Sequence, residues 1–374
     1  MRKKTALIHG HHHDDAMGSI SPPIYQSSSF THIGNDSAFR YSRGGNPTRQ
    51  NLEELIAHLE GGQRGFAFAT GMAAITTVLM MLKSGDELVI CADLYGGTFR
   101  VIEQVLSQMN VAIRFVDASD STAVKATVTA QTKMLYIETP SNPLLKVTDI
   151  AAMAEIAKAH DIPLVADNTF ATPYWQNPLA HGADIVIHSA TKYLGGHSDL
   201  MAGLVVTRDD IYGKRIKRLQ NTIGAILGPQ DSFLLIRGMR TLGLRMEAIE
   251  ANTRVLAEWL KDHPAVKKMY YPGFADAASK AVHDKQSDGY GGVITIELES
   301  QQKAEEFARR CRYFVLADSL GAVESMINIS AQMSHGSFPV KERLALGISD
   351  SLVRLSVGIE DVEDLKEDLA QALA

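Results

Sequence analysis

Ala183-Asp184-Ile185-Val186-Ile187-His188-Ser189-Ala190-Thr191-Lys192-Tyr193-Leu194-Gly195-Gly196-His197 joins an apolar run to a turn rich in chemistry. The run Ile185-Val186-Ile187 predicts a buried strand, which places Lys192 just beyond a strand's carboxyl end. Ser189 and Thr191 flank the lysine with hydroxyls that suit a phosphate. A lysine in a half-buried cleft loses its proton easily and forms a Schiff base with an aldehyde. Lysine, hydroxyls and glycines together point to covalently held pyridoxal phosphate (PLP). A strand-end lysine alone would mean little, because most lysines are solvated surface charges.

Upstream, Ile162-Pro163-Leu164-Val165-Ala166-Asp167-Asn168-Thr169 is a second apolar strand, and it ends in an acid 25 residues before Lys192. That separation holds one crossover of a βαβ unit, so Asp167 and Lys192 are expected at the same edge of one sheet. An aspartate there pairs with a protonated pyridine nitrogen and keeps the cofactor an electron sink. Asp167-Asn168-Thr169 is also good helix-capping chemistry, and taken alone it supports either reading. Phe68-Ala69-Thr70-Gly71-Met72-Ala73-Ala74-Ile75 turns from small residues into an apolar helix, whose first N–H groups and dipole favour an anion. Asp93-Leu94-Tyr95-Gly96-Gly97-Thr98 reads as a strand-to-helix loop, with Tyr95 able to stack on a flat ring or to serve as an ordinary rim tyrosine.

Composition narrows the class. The 374 residues are 45% hydrophobic and 21% charged, enough for a large core and more than one lobe. A net charge of −6 gives no reason to expect nucleic acid or an anionic membrane as partner. Two cysteines, Cys91 and Cys311, exclude a disulfide framework and fit a reducing cytosol. The basic start Met1-Arg2-Lys3-Lys4 does not run into a signal-peptide core, and no apolar run approaches the ~18 residues of a membrane span. The expected location is cytoplasmic. His9, His11, His12 and His13 with Asp14 and Asp15 resemble a metal cluster, but consecutive side chains diverge, so a solvated polar arm is the reading adopted.

Residues 1–46 are rich in Ser, Pro and Gly and read as an extended arm, with Ser21-Pro22-Pro23-Ile24 breaking any helix. Residues 47–229 alternate apolar strand-like runs (88–90, 112–116, 134–137, 164–166, 185–187) with helical patterns. This predicts a mostly parallel sheet covered on both faces. Residues 230–374 carry a long helical pattern through Trp259, an alternating strand Gly292–Leu298 and a terminal amphipathic helix with acids at its start.

Seven segments, in order along nearly the whole chain, resemble the Cys/Met-metabolism PLP enzymes, the trans-sulfuration family. They are Tyr41-Ser42-Arg43-Gly44-Gly45-Asn46-Pro47-Thr48-Arg49, Ala69-Thr70-Gly71-Met72-Ala73-Ala74, Asp93–Thr98, Glu138-Thr139-Pro140-Ser141-Asn142-Pro143, Asp167-Asn168-Thr169-Phe170, Ser189-Ala190-Thr191-Lys192-Tyr193 and Val353-Arg354-Leu355-Ser356-Val357-Gly358. The resemblance implies an α/β fold of type I, like aspartate aminotransferase, with a large domain and a smaller α+β C-terminal domain. It also implies a homotetramer of catalytic dimers. By the same resemblance Lys192 is the Schiff-base lysine and acid/base, Asp167 pairs the ring nitrogen and Tyr95 stacks on the ring. Gly71, Met72, Ser189 and Thr191 bind the phosphate, joined by Tyr41 and Arg43 of the neighbouring subunit. Arg354, with Asn142 and Ser319, holds the substrate carboxylate, a task that suits arginine's planar fork.

Within the family, Ser319–Ser325 resembles cystathionine lyases, whose glutamate at the Glu324 position is thought to meet the distal end of cystathionine. Gly347-Ile348-Ser349-Asp350 resembles γ-lyases and Gram-positive-type β-lyases. Gly97 stands where methionine γ-lyases usually carry cysteine. Arg40 replaces an acid common before the Tyr41 position, and Met333-Ser334-His335-Gly336 departs from the usual Met-Thr-His-Ala. Arg40 and Arg100 join the expected substrate residues. The expected activity is γ-elimination of L-cystathionine, with β-elimination or cysteine and homocysteine desulfhydration beside it. A cystathionine β-lyase, or a γ-synthase or O-acylhomoserine sulfhydrylase, is the enzyme alternative, and an inactive PLP-binding regulator is the alternative of another class. A nicotinamide dehydrogenase is disfavoured because no Gly-x-Gly-x-x-Gly follows a strand.

Overall fold

The computed structural model describes residues 1–10, 17–32 and 38–374. Seven strands form the large sheet: β1 (Arg64–Phe68), β2 (Glu87–Cys91), β3 (Ala112–Val116), β4 (Thr132–Glu138), β5 (Leu164–Asp167), β6 (Ile185–Ser189) and β7 (Gly203–Thr207). Their spatial order is β1-β7-β6-β5-β4-β2-β3. From β3 to β6 every pairing is parallel, while β7 runs antiparallel to both β6 and β1. The expected mostly parallel sheet is therefore present, with one reversed strand.

Burial explains which strands the sequence reveals. Residues of β2, β5 and β7 are buried throughout, as continuous apolar runs in a covered sheet should be. Each Val, Ile or Leu so placed contributes about 1.5–3 kcal/mol. By contrast β3 is an edge strand, exposed at Ala112, Arg114 and Phe115, and its apolar spelling overstates its burial.

A smaller sheet follows, with β8 (Lys268–Tyr270), β9 (Val293–Glu297), β10 (Val315–Leu316), β11 (Met326–Ile329) and β12 (Leu352–Ser356) in the order β10-β11-β12-β9-β8. Its core, from Leu256 to Ala372, packs β9, β11 and β12 against the helices Gln301–Arg310 and Val362–Leu373. That last helix has Glu363 and Asp364 in its first turn, as its dipole favours.

Two local expectations need correction. The segment expected to be extended holds a helix at Lys3–His9, because Ala6 and Leu7 find a buried seat there. Lys3 pins it by donating to the Tyr174 carbonyl and Asp288, both at 2.8 Å. The long helical pattern through Trp259 is two helices, Pro229–Arg240 and Leu242–Leu260, broken at Thr241, whose hydroxyl donates to the Gly238 carbonyl at 3.1 Å. No helix among the described residues is long and apolar enough to cross a membrane. Of the histidine–aspartate cluster, His9 is exposed and residues 11–15 lie outside the described residues. No group of three or more His, Cys, Asp or Glu side chains placed to hold a metal occurs among the described residues.

Candidate active site

The carboxyl ends of β4, β5 and β6 lie side by side, with Glu138 opposite Asp167 and Asp167 opposite Ile187. Asp167 and Lys192 therefore reach one cavity, as the crossover spacing predicted. The cavity has a volume of about 140 Å³, and its walls include Gly71, Met72, Tyr95, Asn142, Asp167, Ser189, Thr191, Lys192 and Arg354. Nine of the residues singled out from the sequence meet there.

Asp167 is not a helix cap. Its Oδ1 accepts the N–H of Thr169 at 3.0 Å and its hydroxyl at 2.5 Å, and the next helix, Thr172–Trp175, has no side-chain cap. Thr169 in turn accepts the Ser189 N–H at 2.9 Å, so one hydroxyl ties the ends of β5 and β6 together. Burial pushes the Asp167 carboxyl up, and the Thr169 donors, His188 and the Tyr136 hydroxyl at 3.4 Å pull it back.

Thr70 caps the helix Gly71–Leu79 by accepting the Ala73 N–H at 2.9 Å. The first-turn N–H groups of Gly71 and Met72 precede the helix's own ladder and are available to an anion. Glycine is required here, since a Cβ at Gly71 would lie 2.9 Å from Ser189 Oγ, which is itself a cavity residue.

Lys192 donates to Ser319 Oγ at 2.9 Å. Burial, reinforced by the nearby Arg354 cation, lowers its amine to about 8, so a neutral base is accessible near physiological pH. Arg354 on β12 is buried; it donates to Asn142 Oδ1 at 2.9 Å and to the Ser319 carbonyl at 3.0 Å. Its Nε is buried without a partner, and burial lowers the guanidinium to about 10. A buried cation with an unused donor at a cavity wall suits a carboxylate ligand.

Tyr95 stands at the cavity rim, 38% exposed, and its backbone N–H donates to Glu138 Oε2 at 3.1 Å. A Cβ at Gly97 would lie 2.4 Å from the Tyr95 ring and 2.6 Å from Met72 Sδ. The glycine at this position is thus what lets the tyrosine fold over the helix start.

The remaining candidates lie elsewhere. Tyr41 and Arg43 are exposed and, with Arg40, line a separate cavity of about 880 Å³. Arg100 is exposed and donates to Ser337 Oγ at 3.4 Å. Glu324 is exposed, accepts from Ser198 Oγ at 3.3 Å and is absent from the walls of the Lys192 cavity. The acids that do line it, besides Asp167, are Glu138 and Asp318. Sequence reading passed over both in favour of Glu324, although Glu138 stands in a quoted motif and Asp318 directly precedes Ser319. Ser334, from the departing Met-Ser-His-Gly segment, also lines the cavity and bonds to Asn328 and His335.

Comparison with known proteins agrees with this geometry. The family model described as Cys/Met metabolism PLP-dependent enzyme matches residues 4–374. The chain belongs to that family. Cystathionine gamma-lyase of Bacillus subtilis (strain 168) is 50% identical over 376 residues, covering 100% of this chain and 99% of its own. Cystathionine beta-lyase of Lactococcus lactis subsp. cremoris (strain MG1363) is 50% identical over 373 residues, covering 99% and 98%. The crystal structure of cystathionine gamma-lyase from Lactobacillus plantarum complexed with L-serine matches with a TM-score of 0.96 at 49% identity, covering 100% of this chain and 98% of that one. The fold is accordingly that of the type I PLP enzymes. The residues present fit PLP: an anion-ready helix start opened by Gly71, the hydroxyls of Ser189 and Thr191, a lysine of lowered basicity and an acid at the ring end.

Proposed function

We propose that this PLP-dependent enzyme is a carbon–sulfur lyase that cleaves L-cystathionine by γ-elimination, giving cysteine, 2-oxobutanoate and ammonia. The observation that carries this reading is one cavity holding a Lys192 amine of lowered pKa opposite the buried Arg354, whose Nε is unused. Sequence identity does not choose between elimination positions, because a relative named gamma-lyase and one named beta-lyase are both 50% identical.

PLP, when bound, supplies the electron sink for the pair left on Cα when its proton departs. Arg354 and Asn142 hold the substrate carboxylate and so fix which Cα–H faces Lys192. The Lys192 amine would remove that proton and hand it on to the bound cofactor, which frees it to take a second proton from Cβ and return that one to the sulfur, so that the group at Cγ leaves as a thiol. Asp167 keeps a negative charge at the ring end, and Tyr95 covers the ring from the rim. Asp318, on the cavity wall and attracted to both Lys192 and Arg354, offers an anion for the distal ammonium of the substrate.

The deciding experiment is incubation of the PLP-loaded protein with L-cystathionine and identification of the products. Cysteine with 2-oxobutanoate bears the reading out. Homocysteine with pyruvate makes it a β-lyase, and the absence of any keto acid removes the lyase reading.

We also propose that the enzyme is a cytoplasmic homotetramer of catalytic dimers, in which residues 47–229 and 230–374 act as two lobes and the arm 1–46 reaches the neighbour. Supporting this, Tyr41 and Arg43 are exposed at a cavity distinct from that of Lys192 in their own chain. Mixing Tyr41→Phe with Lys192→Ala protomers tests it: restored activity in the hybrid supports a shared site, and none overturns it.

A further inference from the structure

Glu138 ends β4 as Asp167 ends β5, and the two are cross-strand partners in register. Registered neighbours on adjacent strands stand about 4.8 Å apart with side chains on one face. Both carboxyls are buried and both line the Lys192 cavity. Asp93, two residues past the end of neighbouring β2, adds a third buried acid, and Cys91, the last residue of that strand, lies beside them. The facing cation is Arg354.

The donors are unequally divided. Asp167 receives two hydroxyls, from Thr169 and Tyr136, besides the Thr169 N–H. Glu138 receives backbone N–H groups from Tyr95, at 3.1 Å, and from Asn142. Each donor favours the charged form of the carboxyl it serves; Asp167 has three against two for Glu138, and two adjacent buried carboxylates do not both ionise. The charge therefore belongs on Asp167. Burial and the Asp167 charge push Glu138 well above the ordinary carboxyl range, in agreement with that division.

We propose that Glu138 is a positioning residue that works as a neutral acid. It ties the Tyr95 loop to the Asn142 loop and leaves Asp167 as the one anion at the ring end of the site. One carboxyl thereby sets both the ring-covering tyrosine and the asparagine that holds Arg354. The inference rests on PLP dependence and not on the choice of cystathionine.

The test compares Glu138→Gln and Glu138→Ala in the PLP-loaded protein by pH titration of the visible absorbance of the lysine-linked cofactor, which needs no substrate. Glu138→Gln is expected to keep the wild-type midpoint, and to keep kcat and KM within ~3-fold. Glu138→Ala is expected to raise KM by ~10-fold or more and to weaken cofactor retention, through displaced loops. A midpoint displaced by ~1 pH unit in Glu138→Gln would show that Glu138 is charged and overturn the proposal. Unchanged KM and cofactor retention in Glu138→Ala would overturn the positioning role. If the alanine variant fails to fold, the titration of Glu138→Gln still decides the charge, and its KM decides whether a neutral acceptor suffices.

Discussion

Lys192 Nζ and Ser319 Oγ meet at 2.9 Å although 127 positions separate them in the chain. The lysine comes from the end of the large sheet and the serine from the turn between β10 and β11, so the amine is seated by both halves of the molecule. A hydroxyl accepts the amine's hydrogen bond without fixing its proton as a carboxylate would. The amine is thereby left free to titrate.

Uptake of PLP by the apoprotein should follow that titration. With the amine lowered to about 8, the loading rate is expected to rise with pH and reach half its maximum near 8. Stopped-flow absorbance after mixing with PLP checks this. Lys192→Ala should lose borohydride-stable cofactor by mass spectrometry and at least about 10³-fold in kcat.

Arg354→Lys should act on substrate binding, because lysine keeps the charge but loses the fork that spans Asn142, Ser319 and a ligand carboxylate. We expect KM to rise by roughly 10- to 100-fold, the cost of about 1.4–3 kcal/mol of lost bidentate contact. Steady-state kinetics with cystathionine measures it, and an unchanged KM would remove Arg354 from the carboxylate site.

Asp93 gives a stability prediction with a definite sign. Burial raises its carboxyl to about 6 in the folded protein, so the native state binds the proton more tightly than the unfolded chain. Ionisation therefore costs stability above pH 6, and the cost fades as pH falls toward 4. Asp93→Asn keeps an acceptor for the Ser141 hydroxyl and should stabilise the protein by up to about 3 kcal/mol at pH 8. Near pH 4 the gain should vanish. Thermal unfolding at the two pH values checks both halves of the claim.

Gly97→Ala places a methyl group against the Tyr95 ring and Met72 Sδ. Because the backbone there sits inside a short helix start, the ring is the part that moves. The expected result is a changed circular dichroism band of the bound cofactor and a several-fold loss of kcat, with little loss of global stability. An unaltered band would mean that Tyr95 does not cover the ring.

Much of this site was legible in the sequence because its residues sit at or just past the ends of buried strands. Apolar runs announced β2, β4, β5 and β6, and the candidates follow them within a few residues: Tyr95, Asn142, Asp167 and the stretch Ser189–Lys192. The runs did not announce β7, whose reversed direction depends on pairing with β6 and β1. The helix Lys3–His9 was illegible for a different reason: it is held by contacts to Tyr174 and Asp288, far along the chain. The choice between Asp318 and Glu324 depends on the turn at Gly321, where φ is +76° and a Cβ would meet the Tyr193 backbone at 2.8 Å. Past that turn, Glu324 reaches Ser198 instead of the cavity, and no residue pattern states this.

The cavity opens where Tyr95 and Met201 stand in solvent, 38% and 61% exposed, while Asp167 and Arg354 lie at 6% and 2%. Proton handling is thus confined to a floor that tolerates little change, and the mouth is left to meet whatever the substrate carries beyond sulfur. A substitution at Met201 is therefore expected to act on substrate range before it acts on the acid–base groups, so that diversification would begin at the doorway.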